Sequence, residues 1–247
     1  MTEMNEPPTA GRRLTQAEKQ AVINSPEALA AKARDPYVVK RRQLYAESAA
    51  GVLADLAECG FPVGSVGELR RGAVKYQAAV PVLVDWLSRI SYLPLVEDIV
   101  RALSVPFAKK QVLPIFLQLF RVPPRVEDPM RPKDSEPGEE HIRWVIGNGL
   151  FVFAGPSVAN DLISLATARE YGDARSQIVL SLPKTKDGRV PGILLDLIDD
   201  SSVAPSAIEA LGKMKFKEAR ERIASLVEDP DENVRSQAKK ALKRIHA

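Results

Sequence analysis

The residue types that most often carry chemistry are sparse in this 247-residue chain. The histidines are His141 and His246, and Cys59 is the single cysteine. This set provides no cluster with zinc-ligand spacing and no Cys/His nucleophile pair. No glycine-rich loop of a nucleotide-binding type is present to cradle phosphates. Gly147 and Gly149 sit inside a helical pattern between Ile146 and Leu150, where close helix packing explains them. Asp199-Asp200 and Glu228-Asp229 are paired carboxylates, the residue type that general acid–base catalysis uses. Each pair falls in a turn between helical segments, where acids cap helices or meet arginines. No catalytic residue, metal site or cofactor is expected. Arg143, Arg175 and Arg235 share one place in a recurring pattern described below. They read either as a basic ladder awaiting phosphates or carboxylates, or as an internal acid–arginine ladder between repeats.

The elements that must position these residues are helices. Hydrophobic residues make up 45% of the chain and aromatic residues only 6%, a balance that suits close-packed helices better than a β-sandwich. Thr15 and Glu18 have capping-box spacing, and Ser25-Pro26-Glu27 reads as a helix start. A longer helix is predicted from about Tyr37 to Glu58, with Gly60 as its stop.

From Gln77 onward the chain repeats itself. Pro81, Pro114, Ala159, Pro191 and Arg220 each stand near a helix start, 33, 45, 32 and 29 residues apart, with apolar residues two to six positions on. A second helix follows each, with apolar or small residues at spacing 0, 4, 7, 8: Leu95, Ile142, Ala174, Val203 and Val234 are its anchors. Helix pairs of this length cannot bury their apolar faces alone and must stack on their neighbours. The 45-residue step holds a segment, Arg121 to Glu140, with Pro123, Pro124, Pro129, Pro132 and Pro137 and no helical pattern. It is expected to project from an edge of the stack, as a tolerated insertion or a binding element.

These residues resemble the HEAT-repeat family, particularly its short phycobilisome-lyase-type version. The best match is Val227-Glu228-Asp229-Pro230-Asp231-Glu232-Asn233-Val234-Arg235, followed by Ala238 and Ala241-Leu242. Ala210-Leu211-Gly212-Lys213-Met214 matches the family's repeat end. The likeness covers 77–247 and departs from pattern at Asp161, which holds a usually apolar position. It implies an all-α fold, a right-handed α-solenoid of ARM/HEAT type with about five helix-pair repeats and extra N-terminal helices. The domain reading is a disordered 1–13, N-terminal helices over 14–76 packing on the array, and repeats over 77–247.

The resemblance further implies that the second helix of each pair lines a concave face. Six residues after each anchor stand Arg101, Asn148, Leu180, Glu209 and Lys240, which are the candidate partner-binding row. Trp86, Trp144, Phe151 and Phe153 are candidate anchors for a protein partner if exposed, and Arg143, Arg175 and Arg235 are candidate partner-binding residues if their ladder faces outward. The expected function is a non-enzymatic scaffold or adaptor for another protein. A nucleic-acid-binding solenoid, as in the HEAT-like alkylpurine DNA glycosylases, is the alternative; a bilin-lyase-like enzyme is a further one. Against nucleic acid stand the net charge of only +3 and the mixed charge of the row. The polar start from Met1 to Arg13, the single cysteine and the lack of a membrane-length apolar run suggest a cytoplasmic protein with no membrane partner.

Overall fold

The computed structural model describes residues 15–72 and 75–246, and for His246 the backbone alone. The stretch expected to be disordered, 1–13, lies outside them. Among the described residues every extended element is helical, apart from a single parallel bridge between Tyr92 and Glu127.

Two compact units meet at Glu47 and Ser48. The first contains α1 (Gln16–Ile23), α2 (Pro26–Arg34) and the opening turns of α3 (Pro36–Glu58). Its helices start where local chemistry tells them to. Thr15 and Glu18 form both arms of a capping box, and the Ser25 hydroxyl accepts the Ala28 N–H ahead of Pro26. Neither α1 nor α2 buries a side chain: Val22, Ile23 and Leu29 are more than half exposed.

The second unit begins inside α3, whose Ala49, Val52 and Leu56 are fully buried, so residues 48–76 belong with the array. Gly60, at φ 93°, ends α3 as read from the sequence: the Phe61 N–H returns to the Leu56 carbonyl. A 3₁₀ turn, Val66–Arg70, leads to α4 (Ala79–Leu87) and α5 (Leu93–Leu103). The pairs continue with α6 (Lys109–Arg121) and α7 (Gly138–Phe153), then α8 (Ala159–Thr167) and α9 (Ser176–Ser181), the latter entered through the 3₁₀ stretch Arg169–Arg175. They finish with α10 (Val190–Leu197) and α11 (Ala204–Met214), then α12 (Arg220–Ala224) and α13 (Glu232–His246). Each second helix packs on the next, α5 on α7, α7 on α9, α9 on α11 and α11 on α13, which makes the unit an all-α solenoid of stacked helix pairs.

The 0, 4, 7, 8 spacing marks the buried seam. Leu95, Ile99, Ala102 and Leu103 are fully buried, as are Ile142, Ile146 and Leu150, and Val203, Ala207, Ala210 and Leu211. Leu242 departs from this: it is half-buried in α13. Glycines let the seam close. A Cβ on Gly212 would stand 2.7 Å from that of Ala241, and one on Gly147 would stand 2.9 Å from the Ala174 carbonyl. One on Gly149 would strike Phe116 and Ser104.

Pro114 does not begin a helix. It sits inside α6, which starts five residues earlier behind the 3₁₀ turn Pro106–Ala108. The proline removes the N–H that would meet the Lys110 carbonyl, but both residues are exposed and water can take its place. Asp161, the other departure from pattern, pairs with Arg121 of α6 at 3.7 Å.

The proline-rich segment is shorter and better anchored than expected. Arg121 completes α6, while Glu139 and Glu140 lie in the first turn of α7 at the positive end of its dipole. The first half is docked rather than projecting. The Glu127 N–H donates to the Ser91 carbonyl, its own carbonyl accepts the Leu93 N–H, and Val126 is buried. Lys133 and its neighbours are exposed. Limited trypsin digestion is therefore expected to cut first after Lys133 and within α1–α2 at Lys32 or Arg34, while 138–245 resists. Mass spectrometry of the early fragments checks this, and first cuts within 190–245 would contradict the packed array.

Candidate functional site

The three pattern arginines point inward. Arg175 is fully buried: Nη2 donates to Asp200 Oδ2 at 2.8 Å, Nη1 to the Ala166 carbonyl at 3.0 Å, and Nε to the Gly172 carbonyl at 2.8 Å. Arg143 Nε donates to the Phe120 carbonyl at 2.9 Å, its Nη1 meets Glu140, and its guanidinium lies over the Tyr171 ring. Arg235 Nη1 donates to the carbonyls of Asp229 and Pro230. Arg143 and Arg175 thus each donate to a carbonyl at the C-terminal end of the first helix of the pair, Phe120 and Ala166, whereas Arg235 donates to carbonyls of the turn before α13. The paired carboxylates are occupied likewise. Asp200 takes Arg175 and the Ser202 N–H, Asp199 pairs with Arg222, and Asp229 and Asp231 accept N–H groups leading into α13. Among the described residues no group of three or more His, Cys, Asp or Glu is arranged to hold a metal ion.

The aromatic residues divide in the same way. Trp86 lies against Gly51 and donates from Nε1 to Asp55 Oδ2 at 2.6 Å, so its polar tip is satisfied within the second unit. Phe153 is buried, and Phe151 is covered by Lys184, whose Nζ stands 3.5 Å from the ring centroid. Trp144 is 39% exposed and stacks on His141.

The row six residues after each anchor is partly exposed along its length, with Lys240 the most open. Arg101 and Asn148 come together in a cleft of about 450 Å³, while Leu180, Glu209 and Lys240 lie farther along the stack and outside it. The cleft forms where Leu69, Arg70, Gly72, Lys75 and Tyr76 come against the end of α5 and residues of α7. Its cations are Arg70, Lys75 and Arg101, and no carboxylate lines it. Tyr76 is tied to the end of α5: its hydroxyl donates to the Ala102 carbonyl at 2.8 Å and its ring meets Phe107 edge-on. Gly149 brings α7 close enough to α5 and α6 to form the opposite wall. A second groove of about 310 Å³, between α4 and α6, carries no charged side chain.

Behind the cleft runs a chain of charges. Arg101 meets Glu97 through Nε and Nη2, at 2.9 and 2.5 Å. His141 Nε2 reaches the other Glu97 oxygen at 3.2 Å, and its Nδ1 stands 3.4 Å from Glu136, which approaches Arg131. Burial pushes the Glu97 carboxyl up, but hydrogen bonds from Arg101 and His141 outweigh it and hold the group below the ordinary carboxylate range. A lowered value makes these contacts stabilising at neutral pH, an effect lost as pH falls through that value.

Segment 69–76 was invisible to periodicity. Its only signal in the chain is the basic turn Arg70-Arg71-Gly72 followed by Lys75.

Residues 193–247 match the model of a family described as HEAT repeats. This C-terminal part of the chain is similar to HEAT repeats. The match contains the acidic turn Glu228–Asp231 and Arg235, whose contacts with α13 and the preceding carbonyls give the HEAT motif its structural meaning here. No curated protein matches the chain. HEAT repeats are commonly protein-interaction scaffolds. No helix among the described residues is long and apolar enough to cross a membrane.

Proposed function

We propose that this HEAT-repeat protein is a non-enzymatic scaffold that holds another protein against the second-helix face of its array. The observation that carries the reading is the cleft at Arg101 and Asn148. It is a ready-formed concavity on the stacked helices, lined by apolar side chains and a few polar ones. The pattern arginines and paired carboxylates support it from the other side, since their polar atoms are engaged within the fold. The proposal places the protein in the cytoplasm, where Cys59 remains a free thiol.

Cross-linking capture from extract of the native host, read by mass spectrometry, tests the reading with the wild-type chain, Arg101→Glu and Lys240→Glu. Both side chains are at least partly exposed, so thermal melting and circular dichroism should stay close to wild type. Arg101→Glu is expected to reduce recovery of the captured partner by about tenfold or more, the effect of losing roughly 1.4 kcal/mol of binding energy. Lys240→Glu, outside the cleft, should change it little. If both variants recover the wild-type partner set undiminished, the second-helix face is not the site.

A further inference from the structure

We propose that the cleft takes an acidic linear segment of the partner, with one large apolar side chain seated between flanking carboxylates. The inference rests on the scaffold reading and specifies which chemistry that scaffold recognises.

Charge complementarity is the first support. Arg70, Lys75 and Arg101 face the cleft, and no acid does. Two of the cations are held by carboxylates set outside it: Arg70 by Asp98 at 3.6 Å and Arg101 by Glu97. These ion pairs are part-exposed, the arginine side chains being 39% and 38% accessible, so each contributes little and is readily exchanged. Arg101 contacts Glu97 through Nε and Nη2, which leaves Nη1 available to an incoming carboxylate. If Arg101 turned further towards a ligand, Glu97 would still keep His141 as a partner. Lys75 is exposed at the mouth of the cleft.

The walls supply the apolar half of the chemistry. Val105, Phe107, Val145 and Val152 line the cleft with the cations, and Val152 is 38% exposed. The volume of about 450 Å³ suits one large side chain with a short run of backbone on either side. The free amide positions of Asn148, whose Nδ2 donates once to the Trp144 carbonyl, can pair with that backbone.

The same features disfavour a nucleic acid. Phosphate tracking needs cations repeated along the face, but Leu180 and Glu209 follow Asn148 along the row. Base stacking needs an open aromatic face, and the Tyr76 ring is only 4% exposed with Phe107 against it.

Selection of a phage-displayed random dodecapeptide library on the full chain tests the proposal. Enriched peptides are then made with a fluorescein label and titrated against wild type, Arg101→Glu/Lys75→Glu and Lys75→Glu alone. A fluorescein-labelled single-stranded RNA dodecamer is titrated in parallel. The expected result is enrichment of peptides with two or more Asp or Glu beside a Phe, Leu or Trp. Their affinity should fall about tenfold or more in the double variant and less in Lys75→Glu, whose exposed site leaves folding intact. Enriched peptides without acids, no enrichment, equal binding to the double variant, or tighter binding of the RNA would each overturn it. Should capture from extract still depend on Arg101 while the selected peptides lack acids, the scaffold reading stands and this inference alone falls.

Discussion

Arg175→Met is expected to lower the unfolding free energy of the array by about 3–5 kcal/mol, seen as a clear drop in the urea midpoint. Arg175 has no exposed surface, and Asp200 is only 7% exposed. Methionine fills much of the arginine's volume but provides none of its three hydrogen bonds. Asp200 would keep its charge in a nearly dry site with only the Ser202 N–H and the exposed Arg169, 3.8 Å away, to compensate. The Ala166 and Gly172 carbonyls would lose donors at the same time. Asp200→Asn should cost less, because the amide oxygen can still accept from Arg175, whose two carbonyl acceptors also remain, and the bond from the Ser202 N–H is the one lost. The two changes share one network, so the double variant should lie well short of the sum of the single effects. A change below about 1 kcal/mol for Arg175→Met would mean that the pair does not hold the α9–α11 seam.

Leu211→Ala and Leu242→Ala should differ although both occupy the same repeat position. Leu211 is fully buried in α11, which packs against α9 on one side and α13 on the other. Its truncation opens a cavity in the middle of the stack and should cost about 2–5 kcal/mol. Leu242 is half-buried in the last helix, and its truncation should cost no more than about 1.5 kcal/mol. In a solenoid the coupling runs between neighbours, so Leu242→Ala should raise amide exchange in α13 alone, whereas Leu211→Ala should raise it from α9 onward. Equal midpoints for the two variants would contradict the difference in burial.

The sequence by itself determined what depends on neighbours a few residues away. The capping box at Thr15, the serine cap at Ser25 and the glycine stop at Gly60 are local hydrogen-bond choices, and they appear as read. The 0, 4, 7, 8 spacing follows from helix geometry, so it marked the buried seam of every repeat except at Leu242. Burial there depends on what packs against the helix, which the spacing of one helix does not encode. Pro114 misled for a related reason: the penalty of a proline within a helix depends on whether the carbonyl it strands can meet water, and only packing decides that.

Tertiary structure alone decided the orientation of the charges and the place of the cleft. An arginine at a given repeat position can face ligand or carbonyl, and Arg175 was committed by Asp200 and Ala166, 25 and 9 residues away. Arg101 and Asn148 fall at the same register on the second helices of successive pairs, yet the concavity they share needs Leu69, Arg70, Lys75 and Tyr76, from a stretch with no periodicity to announce it. Tyr76 is tied to the end of α5 by a hydrogen bond across 26 residues. A cleft of this kind comes from non-repeating chain set against a repeating one, and its chemistry emerges only once the two are in contact.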